Sequence, residues 1–196
     1  MSTSDRNGVT SEARYVAKTA AGVFGGSASV HRFYDEDEAN SIGILTCKGT
    51  PQEGFSTYST VGVHATPNML DGKDVRVELA GVAASTETEY PNLLATAAFQ
   101  VQKDGWLAAP GVVFPDLMRS YGLSASMEHL LWVEPFTWED LAAVEVSSTL
   151  TVHWLLGVPI AESERRLITD EGYGALTALL EQHDSPYYDL HRQPVV

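Results

Sequence analysis

At 196 residues the chain is sized for one domain, and its 44% hydrophobic content is ordinary for a protein with a packed core. A formal net charge of −14, from 26 acidic against 12 basic side chains, argues against a nucleic-acid-binding surface or adhesion to anionic membranes, and favours basic partners. The lone Cys47 allows no intrachain disulfide, which fits a reducing, cytoplasmic setting; the polar start and the lack of any run approaching 18 apolar residues predict neither signal peptide nor membrane span.

Residues 1–10 read as a flexible leader ahead of one domain over 11–196. Tyr15, Val16, Thr19, Val23 and Phe24 give a helical stripe that Gly25 and Gly26 end. Ser29–Tyr34 and Ile42–Cys47 read as a hairpin around the acidic turn Asp35, Glu36, Asp37, Glu38 with Asn40. Phe55–Val63 is a third strand, 67–74 a loop with an Asp71-Gly72 turn, and Val75–Val82 a fourth strand. A helix follows with Pro91 in its first turn and Leu93, Leu94, Ala97, Ala98 and Val101 inward. Gly111–Phe114 and Leu130–Phe136 read as shorter strands.

From Val146 to Val158 apolar residues alternate (Val146, Leu150, Val152, Trp154, Leu156, Val158), with only Ser148 breaking the face, which predicts one long strand with one buried side. Pro159, lacking an amide hydrogen, suits its end. Ile168, Gly172, Leu176, Leu179 and Leu180 then recur at helical spacing, and Gly172 with Gly174 predicts either two helical pieces with a break or one weakened helix. The predicted class is α+β: a mixed, largely antiparallel sheet packed with helices.

The segment Val152 to Glu164 (VHWLLGVPIAESE), followed by Glu171-Gly172 and the terminal Asp189 to Arg192 (DLHR), resembles the bacterial suppressor of fused domain family. That family has an apolar strand ending in Pro-Ile-Thr, a Glu three residues after the Thr, a helix Gly, and an Arg near the C-terminus. Tyr58–Val63 and Val75–Leu79 ahead of the Pro91 helix fit as well, so the resemblance spans about Val30 to Arg192. Three positions depart from it. Ala161 stands for the Thr, so half of a capping box is missing, His64 replaces a frequent Ser, and Pro194 stands for the Ser of the family's Arg-x-Ser ending. The resemblance implies a single suppressor-of-fused-like domain. It also implies a protein-binding role, since many bacterial members are read as immunity proteins of polymorphic toxin systems, whereas eukaryotic relatives bind a transcription-factor peptide as an added strand.

Chemistry is sparse. His31, His64, His129, His153, His183 and His191 show no metal-ligand spacing, and no phosphate loop or nucleophile elbow is present, so no cofactor and no metal are expected. Cys47 reads as a buried thiol. Tyr58, Trp106 and Trp138 are either exposed anchors or core. An enzyme acting on a small molecule would have to draw on Cys47, His64 or Glu78, of which Glu78 is either surface or cleft.

The favoured expectation is therefore a non-enzymatic binder of another protein, a basic toxin domain that it neutralises by occlusion. The expected partner-binding acids are Asp35, Glu36, Asp37, Glu38, Glu87, Glu89, Glu139 and Asp140. The solvated turn and the helix N-terminus are the ordinary readings of the first four and last two. The alternative is a regulatory module for a non-toxin partner.

Overall fold

The computed structural model describes residues 9–196; the leader expected at 1–10 thus falls largely outside the described residues, although Thr10 caps the first helix by accepting from Ala13 N at 3.0 Å. In chain order the elements are α1 (Ser11–Phe24), β1 (Ser27–Tyr34), β2 (Ser41–Lys48), β3 (Phe55–Val61), a 3-10 turn (Val63–Ala65), β4 (Met69–Leu70), β5 (Lys73–Asp74), β6 (Arg76–Ala84), α2 (Tyr90–Gln102), β7 (Val113–Phe114), α3 (Leu117–Ser120), β8 (His129–Val133), a second 3-10 turn (Glu139–Leu141), β9 (Val144–Ser147), β10 (Leu150–Ile160), α4 (Glu162–Glu171) and α5 (Tyr173–Gln182).

One eight-stranded sheet runs in the order β1-β2-β3-β6-β10-β8-β7, with β9 also paired to β10. Only β6 and β10 are parallel; the remaining pairs are antiparallel, as the α+β class requires. The small β4–β5 hairpin stands apart around Asp71 and Gly72, both at positive φ. Among the described residues no helix is long and apolar enough to cross a membrane.

Helices cover both sheet faces. On one, α2 packs Leu93, Leu94, Ala97, Ala98 and Val101 against Ile42, Ile44, Val77 and Leu79. On the other, Val16, Ala20 and Phe24 of α1 and Leu176 and Leu180 of α5 meet Leu45, Val82, Trp154, Leu156 and Val158. Tyr58 and Trp138 belong to these cores, Trp138 lying 4.6 Å from Phe24, and Trp106 packs on Phe114, so none is an exposed anchor.

The expected 146–158 strand is two strands. A turn at 148–149 reverses the chain, and β9 folds back on β10 through Leu150–Ser147 and Val152–Val144. Nor does β10 have a single buried side. It sits between β6 and β8 with helices over both sheet faces, so Leu155, Gly157 and Pro159 are as covered as Trp154, Leu156 and Val158. Gly157 is needed there: a β-carbon would lie 3.0 Å from the Trp132 ring and 3.1 Å from Leu130. Pro159 lies inside β10, beyond the last residue paired to β6. The Leu130–Phe136 strand ends at Val133, leaving Phe136 exposed.

Candidate partner-binding surface

The sheet's first strand is its most open element. β1 pairs with β2 alone, and every residue except Phe33 is exposed, including Val30 and Tyr34. An edge strand presents unpaired backbone groups to which another chain can add.

The acidic turn closes this hairpin, and its four acids differ. Asp35 is buried. Its carboxylate accepts from Asn40 N at 3.0 Å and Asn40 Nδ2 at 2.7 Å, with Lys103 Nζ at 3.2 Å. The Asn40 backbone amide, then its side chain, hold the Asp35 carboxyl well below the usual range, at about 2. Asp35 is thus the turn's internal brace, while Glu36, Asp37 and Glu38 face solvent, Glu38 at φ 54.

Beside the turn runs a groove of about 480 Å³. Tyr34, Asp35 and Glu36 form one wall, and Thr96 and Phe99 of α2 with its C-cap Lys103 the other. Tyr121 closes it through a 2.5 Å hydrogen bond between its hydroxyl and that of Thr96. Glu89 stands at the α2 N-terminus, where it accepts from Asn92, another lining residue, at 2.8 Å. Glu87 is half-buried, with His191 Nε2 3.5 Å away. The fold therefore brings Asp35 and Glu36 to one groove, with Glu89 next to it through Asn92. Glu139 and Asp140 do not join it. They are exposed on a single 3-10 turn rather than at an α-helix start, next to Trp138 on the opposite sheet face.

The residues available to an enzyme hold structure. Glu78 is neither surface nor cleft but fully buried. Its carboxylate accepts from Gly62 N at 2.7 Å, His64 N at 3.3 Å and His64 Nδ1 at 2.5 Å, and from the Thr60 hydroxyl. Arg76 completes the latch on the 3-10 turn by donating to the carbonyls of His64 and Ala65 at 3.0 and 2.9 Å. Cys47 is buried, and desolvation pushes its thiol up, away from the thiolate a nucleophile needs.

Sequence spacing missed one cluster because two separate segments, the start of α3 and the start of β8, build it. Asp116, Glu128 and His129 bring ligand atoms within 4.8 Å of one another. This donor set suits a divalent cation, yet Arg119 already bonds both carboxylates, Asp116 at 2.6 Å. His129 Nδ1 accepts from Asp116 N at 2.8 Å, so Nε2–H donates to Glu162 at 3.0 Å. The guanidiniums of Arg165 and then Arg166, with His129, hold the Glu162 carboxyl at about 2. The network pins α3 and α4 to β8.

A family model described as Suppressor of fused protein (SUFU) matches residues 38–193. Immunity protein YqcF of Bacillus subtilis (strain 168) is 35% identical over 192 residues, covering 96% of this chain and 100% of that protein. Among solved structures, a suppressor of fused homolog from Neisseria gonorrhoeae FA 1090 shares the fold with a TM-score of 0.70 at 14% identity over 94% of each chain. A chain of the Sufu–Fu complex does so at 0.66 and 15% identity, over 94% of this chain and 92% of that one.

Proposed function

The chain belongs to the suppressor of fused family, and from that premise we propose that it is an immunity protein that neutralises a cognate bacterial polymorphic toxin in the cytoplasm by covering it. The observation that carries the reading is its 35% identity to an immunity protein along essentially the whole of both chains. The surface is consistent in kind. Exposed Tyr34 and Glu36 of the open edge hairpin line one groove, Asp37 and Glu89 lie next to its lining residues Lys103 and Asn92, and the net charge of −14 favours a basic partner. A nuclease-like toxin domain is basic because it holds phosphates, and an acidic inhibitor would meet it quickly and selectively. Contact would be electrostatic at the turn, with strand addition along β1 as a second mode favoured by that strand's free edge. No step of chemistry is required.

The test is affinity capture from native lysate, followed by co-expression. A basic domain that elutes in stoichiometric amount, arrests host growth alone and is silenced by this chain supports the proposal; a partner whose activity is untouched overturns it. Reversing Glu36, Asp37 and Glu38 to Lys, with Asp35 kept as the brace, is expected to slow association and reduce its salt dependence without lowering the melting temperature. Unchanged binding would remove the turn from the interface.

A further inference from the structure

The C-terminal end of α5 is built against its own stability. Glu181 lies in its last turn, and Asp184, just past the C-cap His183, takes the left-handed conformation at φ 48. The chain closes there with Ser185 N donating to Leu180 O at 2.9 Å and Asp184 N to Glu181 O at 3.0 Å. Glycine suits that position, because an L side chain crowds the backbone there. Carboxylates also oppose the negative end of a helix dipole, which favours cations. Among the described residues no hydrogen bond or ion pair engages the side chain of Glu181 or Asp184.

Below these two carboxylates opens a pocket of about 280 Å³ with a floor of Leu131, Val133, Val158 and Leu180. Phe136 and Tyr187 form its aromatic wall, their rings 4.9 Å apart at 75°. Phe136 is 57% exposed, although its neighbours in sequence, Val133 and Trp138, are core. The Tyr187 hydroxyl is fixed by that of Thr137 at 2.7 Å. Among the described residues no basic side chain lines the pocket.

We propose that this pocket is a socket for an Arg or Lys side chain of a protein partner. The aliphatic stem of such a residue would lie on the apolar floor. Its charged head would meet the Phe136 and Tyr187 rings, two carboxylates without a partner among the described residues and the carbonyl end of α5, so both charged side chains of the rim carry the same sign, beside the neutral hydroxyls of Thr177 and Ser185. A neutral apolar side chain would fill the floor and leave the acids unmatched; an acidic one would be repelled. The proposal rests on the protein-binding reading, but places a contact on the face opposite the β1 groove.

The experiment is an amide NMR titration of the full chain with n-butylguanidinium chloride, with n-butanol and butyrate as comparators. Saturable shifts at Phe136 and Leu180–Tyr187 in the millimolar range are expected, with n-butanol about threefold or more weaker and butyrate inert. Glu181→Gln with Asp184→Asn should remove the preference for the cation. Asp184→Gly should raise the melting temperature while weakening the cation. Equal binding of butanol, or no saturable shift at these residues, overturns the socket, as does an Asp184→Gly variant that keeps full cation affinity. Because the probe needs no partner protein, that failure is separate from failure of the immunity reading, which co-expression decides.

Discussion

Arg192 and Glu164, 28 positions apart, form a bidentate ion pair at 2.7 and 2.9 Å with both side chains withdrawn from water. Arg192 Nη2 also donates to Pro159 O at 2.8 Å, and the Glu164 carboxylate accepts from Ala161 N at 2.9 Å and Val195 N at 3.0 Å. One carboxylate thus ties the end of β10, the start of α4 and the C-terminal tail. This is why the Glu and the late Arg that carry the sequence resemblance occur together.

Removing one partner of a buried ion pair leaves the other uncompensated. Arg192→Met is expected to destabilise the chain by about 3–5 kcal/mol. The double variant Arg192→Met/Glu164→Gln should be less damaging than the sum of its parts. Urea unfolding of the four proteins measures this; additivity would mean the pair is not coupled.

The start of α4 is half-capped. Glu164 reaches back to the Ala161 amide, but Ala161 has no acceptor for the helix amides it precedes. Ala161 already has the extended backbone of an N-cap, φ −82 and ψ 166. Ala161→Ser should therefore stabilise by about 1 kcal/mol, read as a higher urea midpoint at unchanged slope.

The Tyr90 hydroxyl is buried against Gly81 with no hydrogen-bond partner among the described residues, and desolvation pushes its ionisation upward. Tyr90→Phe removes a polar atom the fold does not satisfy, and a gain of about 1 kcal/mol is expected. A β-carbon at Gly81 would collide with that hydroxyl. Gly81→Ala should accordingly be less damaging in the Tyr90→Phe background than in the parent.

Asp35 and Glu162 are both depressed to about 2, from ordinary values of 3.8 and 4.5. Between those values the unfolded chain binds more protons than the folded one. The stability these groups contribute is therefore complete above about pH 4.5 and is lost as pH falls towards 2. Melting temperatures should drop across that window. Asn40→Ala, which deletes one donor to Asp35, should move the Asp35 titration upward in a carboxyl-carbon NMR experiment.

What the sequence determined by itself is local or additive. The first helix with Val16 and Phe24 of its stripe buried, although Tyr15 is exposed and Ala20 takes the place beside them, the β1–β2 hairpin around 35–40, the Pro91 helix and an interruption at Gly172 follow from periodicity and turn chemistry, which act over a few residues. The net charge is a sum, and the family motif is a string. The turn at 148–149 escaped because it lacks the Gly, Asn, Asp or Pro that marks such reversals. Burial of β10 on both sides, and of Tyr58 and Trp138, depended on sheet order and on which helix lies over which strand. The eight acids expected to bind the partner were sorted in the same way. Asp35 became a brace, Glu36 and Glu89 adjoined a groove, and Glu139 and Asp140 went to the other face. Only the tertiary structure set Glu181 and Asp184 above Leu131, Val158 and Phe136, because a pocket forms where distant segments meet, and periodicity within one segment carries no information about that meeting.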